Sequence, residues 1–152
     1  MKTPDPYSLS HQPVFLLPYD EHDGPFAGAT DCKYLSVGWA QYEPPPGQSR
    51  GISVKTLRHT GTKFSRQSEE IPIHRAIDLV LLLANAVRSV DGNIDLPSGR
   101  LENQRSAIRI EAKLADAAQR RVFKEKIRDR AVLRRLGVLL DTLQVMRSEK
   151  LI

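Results

Sequence analysis

A chain of 152 residues with 40% hydrophobic and 27% charged residues has the balance of a globular domain long enough to bury a core. Its longest unbroken apolar run, Leu79 to Ala84, is too short to span a bilayer. Its single cysteine, Cys32, excludes an intrachain disulfide and a cysteine-based zinc cluster. The net charge of +5 is uneven: residues 1–97 carry 9 Lys/Arg against 11 Asp/Glu, net −2, and residues 98–152 carry 14 against 7, net +7. That asymmetry points to a partner surface in the C-terminal third. Met1 to Leu9 lacks the basic-then-apolar pattern of a secretory signal, so the cytoplasm is the expected location, with no membrane association.

In chain order, residues 1–12 read as an extended arm with Pro4 and Pro6, and residues 13–67 as an antiparallel β-meander. Its strands are expected at 13–17, 33–42, 51–58 and 62–67. The second is the clearest: Leu35, Val37 and Trp39 alternate with Tyr34, Ser36, Gly38, Ala40 and Tyr42. Ile52 and Val54 should face the core, and Phe64 anchors the last strand. Pro44-Pro45-Pro46-Gly47 and Thr60-Gly61 are turns. Residues 72–89 form the central apolar helix. Pro72 suits its first position, and Glu69 and Glu70 sit beside the positive end of its dipole. Its aliphatics cover most of the circumference, so coverage is expected on several sides. Leu81 even interrupts the polar stripe of His74, Asp78, Asn85 and Arg88. Residues 89–99 read as a loop, and residues 100–147 as charged helices near 100–119, 120–128 and 130–147, with Asp129 capping the last. The whole is a single α+β domain: a meander of three to four strands packed on a central apolar helix, then charged C-terminal helices.

Candidate chemistry gathers around the helix start. Glu70, His74 and Asp78 follow i, i+4, i+8 and would stack on one flank, a spacing that suits proton transfer or a divalent ion in a small hydrolase. Arg66, Glu69 and Arg75 lie beside them as binding candidates. The plainer alternative has the glutamates complementing the dipole and Asp78 pairing with Arg75. Asp20-Glu21-His22-Asp23-Gly24 offers hard oxygen ligands without EF-hand spacing and reads as a solvated turn. Arg105, Arg109, Lys113, Arg120, Arg121, Lys124 and Arg128 would share one broad side of a continuous helix and could track phosphates. Interleaved acids and the absence of alternating aromatics favour a solvated face instead. Val132, Leu136, Leu139, Leu143 and Met146 keep a 4-3-4-3 spacing that fits a core or a helix–helix contact. No phosphate loop, nucleophile elbow or HExxH motif occurs, and no metal or cofactor is expected.

The segments Tyr34-Leu-Ser-Val-Gly-Trp-Ala-Gln-Tyr42 and Ser65-Arg-Gln-Ser-Glu-Glu-Ile-Pro-Ile-His-Arg75 resemble a small family of uncharacterised bacterial proteins. The resemblance implies a bacterial origin and no activity or catalytic residue. The expected function is therefore a non-enzymatic module that binds another protein or itself. A nucleic-acid binder using the basic helices, and a small metal-dependent hydrolase, are the alternatives.

Overall fold

The structure, a computed structural model, describes residues 5–41, 43–65, 73–89 and 91–152. Alternating apolar residues build an antiparallel sheet in the order β1 (Gln12–Pro18), β2 (Cys32–Trp39), β3 (Ile52–Arg58). Phe15 lies opposite Val37 and Leu17 opposite Leu35, and all four are buried. A bulge between Pro13 and Phe15 lets Val14 bury as well, and its carbonyl accepts from Lys113 N–H at 2.9 Å. A Cβ at Gly38 would lie 2.1 Å from the Gln12 carbonyl oxygen, so β1 can close on β2 only at a glycine. Of the expected fourth strand, the described residues show an isolated His59–Phe64 bridge; residues 66 and 67 lie outside them. Ile52 packs against the core as expected, and Val54 lies opposite the buried Val37 on the same face yet is 43% exposed, because β3 is an edge strand and the following helix sits chiefly over β2.

The second face of the sheet is covered by the chain before β1. Residues 5–11 are not simply extended: Asp5 caps a 3-10 turn at Pro6–Ser8, and His11 is buried. Its Nε2 is 2.8 Å from Ser36 Oγ and its Nδ1 3.0 Å from Ser53 Oγ, which ties the arm to β2 and β3. Burial, with Lys55 and Arg50 nearby, pushes its pKa down to about 4.

Helix α1 (Ile73–Arg88) lays Leu79, Leu82 and Ala86 into the core, with Leu81, Leu83 and Val87 packed at its margin. Leu81 thus finds cover despite its place on the polar stripe. Ile77 and Val80 do not: at 62% and 41% exposed they show that α1 is covered on one broad side, not on several. Pro72, Glu69 and Glu70 lie outside the described residues.

The largest departure from expectation falls at residues 89–116. Ile94–Leu96 (β4) and Ile108–Ile110 (β5) form a two-stranded sheet where a loop and a helix were expected, with Ile94 opposite Ile110 and Leu96 opposite Ile108. Pairing these triplets buries Ile94, Leu96 and Ile110 together and points Arg109 outward to Asp95 at 2.9 Å. Between them the buried Gln104 side chain accepts from the Arg100 and Leu101 N–H groups and donates to the Leu96 and Ser106 carbonyls. Those bonds replace the helical ladder over this stretch. Helix α2 (Ala117–Ile127) starts only where Asp116 caps it by accepting from Gln119 N–H at 2.8 Å.

Helix α2 docks through Phe123 and Ile127, the Phe123 ring standing edge-on to Phe15 at 5.8 Å and to Trp39 at 5.3 Å. Arg128 then donates to the Val87 and Ser89 carbonyls, a cation at the negative end of α1. Helix α3 (Arg130–Ser148) begins at the expected cap, Asp129, which accepts from Ala131 and Val132 N–H. Every residue of α3 is partly or fully exposed. The architecture is α+β.

Candidate functional site

Two features stand out, a polar cleft beside the start of α1 and the uncovered face of α3. The cleft is organised by a carboxylate that composition alone assigns to a solvated turn. Asp23 is fully buried. Arg75 grips both of its oxygens, Nε to Oδ1 at 2.9 Å and the terminal nitrogen to Oδ2 at 2.5 Å, and also donates to Thr30 Oγ1. His74 Nε2 lies 2.6 Å from Oδ1. Burial favours the protonated acid, but the hydrogen bonds from Arg75, Thr30 and His74 outweigh it and hold the Asp23 carboxyl below its ordinary range. An ionised Asp23 requires the proton on His74 Nε2, which leaves Nδ1 as the second ring nitrogen. Gly24 makes the approach possible: its φ is +52°, and a Cβ there would stand 3.3 Å from His74 Cδ2.

One turn along α1, Asp78 accepts from the hydroxyl of the buried Tyr19 through Oδ2. Its carboxyl is raised above the ordinary range by burial, against the opposing pull of the Tyr19 hydrogen bond. Burial and Asp78 together push the Tyr19 phenol upward. His74 and Asp78 line a cleft of about 610 Å³ with Gly24, Pro25, Ile77, Arg100, Glu102 and Asn103. The turn carrying the last three is the one locked by Gln104, and the Glu102 carbonyl is held by His22 Nδ1 at 3.3 Å.

The helical spacing of His74 and Asp78 therefore does bring them to one cavity. Glu70, Arg66 and Glu69 lie outside the described residues. Arg75 binds Asp23 rather than Asp78, because Asp78 faces Tyr19. Among the described residues no group of three or more His, Cys, Asp or Glu is placed to hold a metal ion. Cys32 is buried, and burial pushes its thiol up to about 12, unsuited to a nucleophile. Asp23, Tyr19 and the 99–104 turn escape sequence reasoning, since their place in the site comes from tertiary contact alone.

The basic set does not share one helix. Arg105, Arg109 and Lys113 precede α2; Arg109 pairs with Asp95, and Lys113 Nζ lies 6.0 Å from the centre of the Tyr7 ring. On α2, Arg120 lies over Gly92, while Arg121 is exposed and Lys124 half-exposed; Arg128 caps α1. The strip expected to track phosphates is broken by the β4–β5 pair.

Helix α3 presents Val132, Leu136, Leu139, Leu143 and Met146 at the expected spacing, with Leu133 and Leu140 along one edge and Arg135 and Glu149 along the other. Leu139 is 37% and Leu140 54% exposed. Among the described residues no helix is long and apolar enough to cross a membrane.

A family model described as a family of unknown function, DUF6530, matches residues 1–99. That span holds the sheet, α1 and the Asp23–His74–Asp78 cluster, and stops before α2 and α3. No curated protein and no solved structure matches the chain.

Proposed function

We propose that this chain, which belongs to the DUF6530 family of unknown function, is a self-associating module whose α3 pairs with α3 of a second copy. The observation behind this reading is a helix of 19 residues that keeps a 4-3-4-3 apolar register with none of it buried. Such a stripe left in water is unfavourable, and full burial of each leucine-sized side chain is worth roughly 1.5–3 kcal/mol.

Charge selects the second copy and its direction. In an antiparallel pair, Leu136 meets the second copy's Met146 and Leu139 meets its Leu143, each contact made twice about the two-fold axis. The same register sets Arg135 against the second copy's Glu149, again twice, and brings the two Leu140 side chains together. A parallel pair in the same register sets Arg135 against the second copy's Leu140 and so loses the contact with Glu149. The antiparallel arrangement is self-complementary in both shape and charge.

Light scattering at roughly 100 µM, where even a micromolar dimer is well populated, should give twice the chain mass. Leu139→Glu with Leu143→Glu should give a monomer with unchanged α1 and sheet signals. Arg135→Glu should weaken the dimer, and adding Glu149→Arg should restore it. A wild-type monomer, or a dimer indifferent to all four substitutions, sinks the proposal.

A further inference from the structure

The cleft beside α1 is separate from the α3 face and has a chemistry of its own. Asp23 contributes no charge to it, because Arg75 neutralises that carboxylate from within the fold. The titratable groups that line it are His74 and Asp78 from α1 and Arg100 and Glu102 from the Gln104-locked turn. Gly24 and Pro25 form its third side, Ile77 supplies an aliphatic surface, and Asn103 adds an amide. The lining therefore mixes two carboxyl groups, an imidazole and a guanidinium with a small apolar patch.

From this lining we infer that the cleft binds a small zwitterion of the amino-acid type. The ligand's ammonium faces Asp78 and the Nδ1 side of His74, its carboxylate faces Arg100, and its aliphatic side chain lies on Ile77 and Pro25. A simple anion would meet Asp78 and Glu102 as like charges, and a simple cation would meet Arg100. A ligand carrying both signs satisfies each wall. The cavity volume lies within the range of small-molecule sites, and the groups are held before any ligand arrives: His74 by Asp23, Asp78 by Tyr19, the turn by Gln104.

The test is a titration of isotope-labelled full-length protein with leucine, isopentylamine and 4-methylpentanoate, followed by amide resonances. The last two are leucine without its carboxylate and without its ammonium. Leucine should shift the amides of Ile77, Asp78 and Glu102 saturably, and each truncated analogue should bind about 10-fold or more weakly. Asp78→Asn keeps an acceptor for Tyr19 and removes the charge, and Arg100→Ala alters an exposed side chain; each should weaken leucine about 10-fold with the spectrum otherwise preserved. No saturable shift with leucine up to about 10 mM overturns the inference. So does equal binding of the amine or the acid, or leucine binding that survives both substitutions. Because α3 is untouched by these variants, the outcome is independent of whether the protein dimerises.

Discussion

The body of this protein and its last helix use apolar residues in opposite ways. In the body, a core of apolar side chains is fully covered and polar groups are drawn inside with partners: Asp23 with Arg75 and His74, Tyr19 with Asp78, His11 with Ser36 and Ser53, Gln104 with four backbone groups. In α3, leucines and valines stand in solvent, and its one long-range lesson is periodicity. A buried polar network fixes one conformation because each unmet partner is costly. An exposed apolar stripe fixes nothing within its own chain. The family match covers the sheet and α1 and ends at residue 99, before Gln104, β5 and α2 as well as before α3.

The contrast breaks most sharply at Asp23. Asp23→Ala strands the Arg75 guanidinium, 11% exposed, and leaves His74 without its orienting acceptor. Removing one partner of a buried pair costs about 3–5 kcal/mol, so chemical denaturation should show a large loss of stability. Leu139→Ala in the monomer, with no neighbour to lose, should cost far less than the about 2–5 kcal/mol of a core Leu→Ala change. Similar losses for the two would erase the distinction between body and appendage.

How far the sequence exposes each region follows from the range of the forces involved. The meander and α1 are legible because period-2 and period-3.6 patterns are local, as in Leu35-Val37 and in Leu79-Leu82-Ala86. Residues 100–116 are not, since Ile108-Arg109-Ile110 is too short to declare a strand, and Ile108 with Leu114 fits a helical wheel equally well. Its strand character comes from Ile94–Leu96, a partner remote in sequence. At the site, His74 and Asp78 are legible from their spacing. Asp23 is not, because a run of Asp20, Glu21, His22 and Asp23 looks solvated until Arg75 is known to reach one of them.

A second prediction separates the two regions by pH. His11 is neutral in the fold, its pKa held at about 4 against the 6.5 of a free histidine side chain. A depressed histidine contributes stability that is complete above the unfolded pKa and is lost as pH falls from 6.5 toward about 4. The loss should be on the order of 3 kcal/mol and should vanish in His11→Asn, once that variant's own baseline is subtracted. The unfolding midpoint followed across that window checks it; a His11→Asn profile as steep as wild type assigns the acid sensitivity elsewhere. Asp23, with its lowered carboxyl, adds a loss of the same sign but at lower pH, as its own proton binds. The α3 stripe of Val132, Leu136, Leu139, Leu143 and Met146 holds no histidine, so the His11 titration does not act on its pairing.

The smallest effect sharpens the description of α3 itself. Val138 and Leu139 are neighbours, 60% and 37% exposed, and both are apolar. If α3 were merely sticky, replacing either by a polar residue would weaken association alike. A register contact treats them differently, because Leu139 lies in the 4-3-4-3 stripe and Val138 lies off it. Val138→Gln should change both the unfolding free energy and the dimer dissociation free energy by no more than about 0.5 kcal/mol, as surface substitutions usually do. Leu139→Gln should leave the body's stability equally unmoved and yet shift the monomer–dimer equilibrium in sedimentation. Equal shifts for the two would mean that hydrophobicity alone, and not register, governs the helix. The Arg135–Glu149 pairing would then lose its structural basis, since it depends on the register that places the two side by side.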